Sequence, residues 1–561
     1  MFIRPSLRIE FLVRLVVRTS VAIALFGYYH QFSYLRMSNA ARMLVGDDWT
    51  TYIVSPNYLR NARVVSFPLA EVPHYIAPLG TNLAHTDSIP VLMPFYRVVI
   101  SLFPGRPIQL VGLTLLAATI LVFHAIARFL DHVQTSKSWL VKELCILSVA
   151  SIAVIAPFWN LQYVHPALMQ QWIIVWALSG ALRRCPTVLS GRLSPLHKRW
   201  VGLGAICAAA AVQPYLIPMV AVPALAPDVA HWRTEWRWIS AKIGLAGGLV
   251  VAITVGLGYL GSGGQLGSSG FGMYAGDLAT LIDSNLQSRF VDDLPTTPGA
   301  IGGYGYAGLG ALVMIFIGMY FISKRRRRIS EETDGTKNRR SASLLYVAVG
   351  MLTLFSLLPN IRLFGRSIIH FERIANRFSS LTALFRVNGR FVWVVLWLLI
   401  LLAGAQILLV KSQTAVLVFV GCLLLQVADV VAFPPLLRPT KDVQYSAALK
   451  RLSLESQTGA RTLQFQPPVL IPGCYAPEYP SFAALGDVLL AAAVLDIPVN
   501  SGYTARLEPK YEIVNCKSQS EDFLRGAFSA SVVYVLPIST PVPSGLRCSM
   551  ITTPLLACRT K

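Results

Sequence analysis

Apolar stretches of about 20 residues recur along the sequence and limit what the chain can fold into. A helix of that length crosses the hydrocarbon core of a bilayer, which is about 30 Å thick. The chain is 54% hydrophobic and 14% charged, whereas soluble domains average about 25% charged residues. The sequence therefore predicts a mainly α-helical, polytopic membrane protein of about 11 spans. The candidate spans are 11–29, 108–130, 143–157, 167–182, 200–212, 215–228, 243–260, 305–323, 342–358, 390–410 and 413–433, of which 200–228 also fits one broken helix.

The basic residues predict the orientation of these spans. The net charge is +22, but the basic residues concentrate in the short connections 183–199, 231–238 and 324–340. Short cytoplasmic loops carry such an excess of Lys and Arg, so the charge indicates topology rather than nucleic-acid binding. The amino terminus then lies inside, as an uncleaved anchor without a small-residue cleavage site. The segments 30–107, 158–166, 261–304, 359–389 and 434–561 fall outside.

One outer segment, 359–389, breaks this charge rule. It holds a single acid, Glu372, and arginines in it or directly after it: Arg362, Arg366, Arg373, Arg377, Arg386 and Arg390. Three interpretations stay open: the topology is wrong at this segment, the arginines anchor to lipid headgroups, or they form an anion site that faces the outer leaflet. Guanidinium groups match phosphate oxygens, and the spacing of Arg386 and Arg390 predicts one helix face near a helix amino terminus.

The first outer loop, 30–107, carries the acids best placed for chemistry. Asp47 and Asp48 follow the first span, and Asp87 precedes a proline-containing stretch, 89–103, that is expected to lie at the membrane interface. A carboxylate there suits a general base or a ligand for a divalent metal. Each aspartate equally fits a helix cap or a turn.

Several motifs occur in an order that matches a known family. They are VGDDWTTY (45–52), PLGTNLAHTDSIPVL (78–92), the span after IQLVGL (108–113), QYVHPALMQQWIIVWAL (162–178), FGMYAGDLATLI (271–282), YGYAGLG (304–310) and FRVNGRFVW (385–393). With these motifs the chain resembles the GT-C superfamily of membrane glycosyltransferases, and more narrowly a bacterial family of GT-C-like proteins with unassigned substrates. The resemblance implies inverting transfer of a sugar from a polyprenyl-phosphate donor to a glycan or lipid acceptor, at the outer face of the bacterial inner membrane.

The resemblance also implies roles for particular residues. Asp47 is the preferred catalytic base, with Asp48 and Asp87 as alternatives, and His165 and Tyr304 are candidate substrate-binding residues. The expected donor-phosphate ligands are Arg386 and Arg390, with Arg362 and Arg366 as helpers. The chain departs from the family pattern at Thr50 and Thr51, where a histidine is usual, and at Gly302 and Gly303, where an acid is usual.

The membrane pattern ends before the carboxy terminus. We expect a GT-C-like transmembrane domain over 1–435 and a small periplasmic α/β domain over 436–561, with a helix at 482–495 and a strand at 529–537. Cys474, Cys516, Cys548 and Cys558 lie in it and allow two disulfides with three pairings. Cys548–Cys558 is the favoured pair.

Two other function classes stay open. A transporter or flippase for a lipid-linked or anionic substrate also needs outward arginines, but it favours charges inside the spans. The spans look nearly free of acids, which favours chemistry at the membrane surface over transport of a substrate through the spans. A scaffold for envelope polysaccharide assembly is the third class. The sequence shows no histidine cluster or acidic triad for a metal, yet a divalent metal stays open; membrane lipid is an expected partner and nucleic acid is not.

Overall fold

The computed structural model describes residues 5–44, 47–60, 62, 66–86, 88–185, 193, 200–260, 271–296, 303–329, 336–377, 383–431, 443–469, 482–502, 504 and 509–561. Within these ranges, the side chains of 5–8, 47–48, 201, 325–329, 336–339, 374–375, 383, 443–444, 482–483 and 509 are outside the description.

Helices account for most of the described chain, as the sequence predicts. The first ten are α1 (Pro5–His30), α2 (Asp47–Asn57), α3 (Met93–Ser101), α4 (Val111–Asp131), α5 (Trp139–Ile155), α6 (Pro157–Asn160), α7 (Trp172–Arg183), α8 (Val201–Val212), α9 (Leu216–Val229) and α10 (Trp232–Gly256). The others are α11 (Leu309–Ile329), α12 (Thr336–Leu357), α13 (Glu372–Arg377), α14 (Val392–Leu408), α15 (Ser412–Asp429), α16 (Val443–Gln457), α17 (Phe482–Leu495), α18 (Pro509–Tyr511) and α19 (Gln519–Leu524). Helices α8 and α9 pack against each other, so residues 200–228 form two helices and not one broken helix.

Several helices are long and apolar enough to cross a membrane. Five segments of the described chain qualify: Val111–Asp131, Trp232–Gly256, Arg340–Leu357, Asn388–Leu408 and Ser412–Asp429. A sixth is the pair Trp139–Ile155 and Pro157–Val164 if the two form one span bent by 50°. Helices occupy every range predicted as a span, but α7, α8 and α9 are shorter than a full crossing. A multi-pass membrane protein is therefore supported, and the number of eleven spans stays a prediction.

Helix α14 lies at the centre of the bundle and anchors the motif that precedes it. Trp393 and Trp397 on α14 and Trp159 on α6 are among the largest fully buried side chains. A buried indole N–H needs a partner, and Trp397 Nε1 donates to Gln171 Oε1 at 2.7 Å while Trp393 Nε1 donates to the Tyr304 carbonyl at 3.2 Å. The start of α14 is thus held rigidly.

One end of the bundle, here called the basic end, contains residues 128–142, 183–185, 228–242 and 410–412. Arg18 of α1 donates to Asp131 at 2.8 Å and to Glu143 at 2.6 Å, which ties α1 to the end of α4 and the start of α5. Burial and the nearby Arg183 and Arg128 lower the pKa of His132 to about 4, which places the end of α7 there too. These segments are the predicted cytoplasmic loops or their edges, so the described basic loops gather at one end.

Two buried acids lie in helices at the basic end, at the first residue of the predicted span 143–157 and the last residue of 215–228. Glu143 on α5 and Asp228 on α9 are both buried. Asp228 pairs with Lys242 of α10 at 2.7 Å and with Arg184 after α7. Both acids are paired near helix ends, where they join helices.

The opposite end, here called the loop end, holds the described parts of 30–110, 156–171, 213–216, 271–308, 358–391 and the chain after 429. The Phe158 N–H donates to the Tyr306 carbonyl at 2.9 Å, and the Tyr306 hydroxyl donates to Asp429 at 2.7 Å. The Leu69 N–H donates to the Gly256 carbonyl at 2.9 Å. The predicted outer segments therefore meet at one end.

The carboxy-terminal region forms a small α/β unit that packs on the first loop. Strands β1 (Glu71–Val72) and β2 (Thr81–Asn82) pair in that loop, and β3 (Asn360–Leu363) pairs with β4 (Arg366–His370). The carboxy-terminal sheet has the order β5-β6-β8-β7, with β5 (Thr462–Phe465), β6 (Val532–Pro537), β7 (Leu546–Thr552) and β8 (Leu555–Thr560). Strands β5 and β6 are parallel, and the other neighbours are antiparallel.

Hydrogen bonds join this unit to the first loop, and disulfides cross-link the unit itself. Asn515 Nδ2 donates to the Ala77 carbonyl at 2.8 Å, and the Tyr58 hydroxyl donates to the Ile497 carbonyl at 3.1 Å. Cys548 and Cys558 are cross-strand partners on β7 and β8 and form a disulfide, which confirms the favoured pairing. Cys516 is also disulfide-bonded, and Cys474 lies outside the described residues.

Candidate functional site

The motif FRVNGRFVW forms two tight turns before α14 begins. Ala383–Phe385 and Asn388–Phe391 are 3₁₀ turns, and the α-helix starts at Val392. Asn388 is fully buried, and its Nδ2 donates to the Leu358 carbonyl at 2.7 Å and the Phe355 carbonyl at 2.8 Å. The prediction that Arg386 and Arg390 share one helix face is therefore wrong, because buried Asn388 holds the chain in turns.

Gly389 allows three outer segments to approach each other. Its N–H donates to the Tyr274 carbonyl at 3.1 Å. A Cβ at this position would lie 2.6 Å from Gly303 Cα, 2.6 Å from the Tyr274 oxygen and 3.0 Å from Gly276 N. Because all three atoms belong to the backbone, only glycine fits without moving a neighbouring segment.

Arg390 is a partly buried cation that stacks on an aromatic ring. Its guanidinium carbon lies 5.4 Å from the ring centre of Tyr215, which is within cation–π range. The Tyr215 hydroxyl accepts a hydrogen bond from the Val387 N–H at 2.6 Å. The Nε of Arg390 is buried without a hydrogen-bond partner, and Arg390 forms no ion pair with the described part of the chain.

Arg386 repeats this arrangement at an exposed position. Its guanidinium carbon lies 5.1 Å from the ring centre of Tyr274, and its Nη2 donates to the Tyr274 hydroxyl at 3.1 Å. Within the described residues this arginine also has no carboxylate partner. The motif thus presents two arginines, each oriented by a tyrosine from another segment.

His165 is half-buried next to Arg390 and hydrogen-bonds to the first loop. Its Nδ1 lies 2.9 Å from the hydroxyl of Tyr52 on α2. Burial and the charge of Arg390 lower the pKa of His165 to about 3. The imidazole is therefore neutral at pH 7, so it can take part in hydrogen bonds but adds no charge to the site.

The first-loop segments that carry the predicted acids meet beside Tyr52. Helix α2 begins at Asp47, but the side chains of Asp47 and Asp48 lie outside the described residues, as does all of Asp87. Thr86 and Ser88, which flank Asp87 in the sequence, bond to each other at 3.0 Å, and Thr86 accepts a bond from Ser55 of α2 at 3.2 Å.

A mostly apolar cavity lies between these first-loop segments and Pro166. Tyr52, Ser88 and Pro166 all lie on its wall, together with residues of α3 and α4. Pro166 directly follows His165. Tyr52 and Pro56 of α2, Ser88 and Pro166 therefore meet at one small cavity. The charge of Arg390 acts on His165, directly before Pro166.

The remaining predicted residues, Arg362, Arg366 and Tyr304, have other surroundings than Arg386, Arg390 and His165. Arg362 and Arg366 lie on the β3–β4 hairpin, so their helper role stays a prediction. Tyr304 is buried, and its hydroxyl donates to the Ser284 carbonyl at 2.5 Å. Burial raises the pKa of Tyr304 above its usual range, and its surroundings are those of a core residue.

The acids of the loop 271–296 cap turns, as their sequence context indicates. Asp277 accepts from the Ala279 N–H at 2.8 Å, and Asp283 accepts from the Thr296 hydroxyl at 2.6 Å. Asp293 accepts from the Ser284 hydroxyl at 2.9 Å. Across the described ranges, no three His, Cys, Asp or Glu side chains gather in a way that could hold a metal ion.

The sequence alone did not indicate the tyrosines that contact His165, Arg390 and Arg386. Tyr52, Tyr215 and Tyr274 each come from a different segment, and tyrosine is common in any membrane protein of this kind. Tyr52 ends the motif VGDDWTTY and Tyr274 lies within FGMYAGDLATLI, so both motifs contained the signal. Tyr215 lies in the short turn between α8 and α9, and no motif marked it.

Comparison with known proteins gives a family and no assigned activity. No curated protein matches the chain. The model of a family described as a domain of unknown function, DUF6311, matches residues 19–431. That range runs from α1 to the end of α15 and covers well over half of the chain, so this protein belongs to the DUF6311 family.

Proposed function

We propose that this protein transfers a sugar, with inversion, from a polyprenyl-phosphate-linked donor to a glycan or lipid acceptor. The reaction takes place at the loop end, which faces the periplasm in a bacterial inner membrane. The basic end faces the cytoplasm, as the positive-inside bias favours. In this proposal residues 1–435 form an eleven-span GT-C-like domain, and residues 436–561 form a periplasmic domain.

The proposal rests on the burial of Arg390 and on its lack of an ion-pair partner among the described residues. It is a partly buried guanidinium with an unpartnered buried Nε and no ion pair among the described residues. Burying a cation without a counter-charge is unfavourable, so an anionic ligand would relieve it. A phosphate takes two parallel bonds from a guanidinium fork, and Tyr215 fixes the plane of that fork.

The neighbouring groups suit a phosphate that carries a sugar. His165 is neutral, because burial and Arg390 lower its pKa to about 3, so its bond to Tyr52 offers polar contacts without opposing charge. A pKa of about 3 makes His165 a weak base at neutral pH. Proton removal therefore falls to a first-loop carboxylate, for which Asp47 is the first choice and Asp48 and Asp87 are the alternatives.

The proposed step balances as a direct displacement. The acceptor oxygen forms a bond to the anomeric carbon while the bond from that carbon to the phosphate oxygen breaks. The first-loop carboxylate takes the hydroxyl proton, and the electron pair leaves on the polyprenyl phosphate. Arg390, with Arg386 at the exposed side, stabilises that developing charge, and the loss of one such donor typically slows a reaction roughly 10²–10³-fold.

The test is sugar transfer in proteoliposomes with a panel of radiolabelled polyprenyl-phosphate sugars. We expect the parent to transfer one of them and Arg390→Gln to lose at least about 100-fold. Arg390→Lys should retain part of the rate, since it keeps the charge but not the fork. Arg289→Gln is the matched control, because Arg289 is exposed at the same end.

Three results separate the proposal from its rivals. Parental rates in Arg390→Gln would overturn the phosphate role of this arginine. Movement of the labelled lipid between leaflets without any transfer would favour the flippase. Asp47→Asn tests the base separately from the donor site, and a parental rate there would direct the search to Asp48 and Asp87.

A further inference from the structure

Strand β4 of the β3–β4 hairpin is exposed on both faces. Every residue of β4, from Arg366 to His370, is exposed. An isolated two-stranded hairpin is marginally stable in water, and its unpaired edges invite association. Contact with a partner would stabilise a surface of this kind.

Several exposed side chains of the hairpin are large and apolar, and the exposed Arg366 lies among them. Ile368 is 54% exposed, and the other exposed apolar residues are Leu363, Phe364 and Ile369. No acid occurs between Pro359 and Phe371. Arg366, and Arg373 just beyond the hairpin, are exposed and form no ion pair with the described residues.

The hairpin begins where a membrane-type helix ends. The apolar segment Arg340–Leu357 is followed by β3 at Asn360. Three residues span at most about 11 Å, and the polar interface of a bilayer extends roughly 5–8 Å beyond each side of the hydrocarbon core. The connection is therefore short enough to keep the hairpin at the membrane surface.

The hairpin tip is fixed in place and presents an aromatic ring. Phe364 and Gly365 have φ angles of 50° and 76°, as the two-residue turns of hairpins require. Asn is the usual residue at the first of these positions, and Phe is an unfavourable choice there. Asp277 compensates, because it accepts bonds from the Gly365 N–H at 2.8 Å and the Phe364 N–H at 3.2 Å.

We propose that the β3–β4 hairpin lies in the membrane interface at the loop end and binds anionic phospholipid there. The apolar side chains enter the boundary between headgroups and acyl chains, and Arg366 and Arg373 contact the lipid phosphates. Charge complementarity selects this partner, since residues 359–371 combine arginine with apolar side chains and contain no acid. The one acid beside them, Glu372, accepts a hydrogen bond from Asn360 at 2.7 Å. The inference does not depend on the proposed sugar transfer.

The test places an environment-sensitive label at three positions of the full-length protein in nanodiscs. The label goes on Ile368→Cys at the hairpin, on Leu417→Cys as a candidate lipid-facing control, or on Leu524→Cys as a control in the carboxy-terminal unit. Leu417 is 74% exposed on α15 and Leu524 is 82% exposed on α19, so all three are exposed apolar positions. The free cysteines are first replaced by serine: Cys145, Cys185, Cys207 and Cys422.

The expected result is that lipid nitroxides quench the label at Ile368 as strongly as the label at Leu417. Aqueous iodide should quench only the label at Leu524. Quenching at Ile368 should be at least twofold stronger by spin-labelled phosphatidylglycerol than by spin-labelled phosphatidylcholine, and Arg366→Gln with Arg373→Gln should abolish that preference. One basic residue near an anionic surface contributes about a fivefold preference.

Each other outcome overturns the inference. Iodide quenching at Ile368 would show a hairpin in water. Protection from both quenchers would show that another protein surface covers it. Equal quenching by the two lipids would remove the anionic lipid as the partner. Ile369→Cys, labelled in the same way, repeats the measurement if the first variant does not fold.

Discussion

Replacing Gly389 by alanine tests whether the turn before α14 is as tightly packed as its geometry indicates. The added Cβ would lie 2.6 Å from Gly303 Cα, 2.6 Å from the Tyr274 oxygen and 3.0 Å from Gly276 N. Real Cβ contacts need about 3.4 Å or more, so at least one backbone segment must move by several tenths of an ångström. Overpacking of this kind destabilises a protein by about 1–3 kcal/mol. The segments that would move include Tyr274, which contacts Arg386, and the turn that carries both arginines.

Thermal unfolding in detergent measures this effect. We expect Gly389→Ala to lower the melting temperature by roughly 1–3 °C, because the entropy of unfolding increases with chain length. Gly421→Ala is the matched control, because a Cβ at position 421 of α15 meets nothing within 4 Å. That control should keep or raise the melting temperature, since alanine is favoured over glycine in a helix by about 1 kcal/mol.

The result that would refute this reasoning is equal stability of the two alanine variants. Such a result would mean that the segments around residues 274, 303 and 389 are not in close contact. The fixed positions of the two arginines would then lose their structural basis.

Three further predictions follow from other contacts. Asp277→Ala removes both bonds to the hairpin tip, so the amides of Phe364 and Gly365 should exchange hydrogen about tenfold faster by mass spectrometry; unchanged exchange would contradict the tether. His165, with a pKa of about 3, binds its proton less readily than an unfolded histidine with a pKa near 6.5. The free energy of unfolding should therefore fall by about 1.4 kcal/mol between pH 7.5 and 5.5. The variant His165→Gln should lose correspondingly less over the same pH range. A reporter fused after His370 should lie outside the cytoplasm, and a cytoplasmic signal would invert the proposed orientation.

Much of the fold could be predicted from the pattern of apolar and basic residues. Helices occupy the predicted ranges because the bilayer fixes both their length and their polarity. The carboxy-terminal helix at 482–495 and the strand near 529–537 are present as α17 and β6. The Cys548–Cys558 disulfide also formed as predicted, across neighbouring strands of one hairpin.

The site was less predictable, because its geometry depends on contacts between distant segments. Four-residue spacing predicted one helix face for Arg386 and Arg390, but buried Asn388 bonds to the end of α12 and keeps the chain in 3₁₀ turns. Tyr215 orients Arg390 from a different pair of helices. No local pattern can indicate such a partner.

The partners of buried charges were also not predictable from the sequence. Glu143 and Asp228 lie inside predicted spans, yet each is neutralised by a cation from another helix. A sequence count shows the acid but not its partner. The distinction matters here because a half-buried charge without an ion pair among the described residues, as at Arg390, indicates a site, whereas a paired one joins helices.

The central claim is that Arg390 binds the phosphate of a polyprenyl lipid, and equilibrium binding in nanodiscs tests it most directly. The parent should bind a polyprenyl phosphate at least about tenfold more tightly than the uncharged polyprenol, which corresponds to about 1.4 kcal/mol. Arg390→Gln should lose that difference, while Arg289→Gln should keep it. Equal affinity of the parent for the two lipids, or an unchanged preference in Arg390→Gln, would contradict the account.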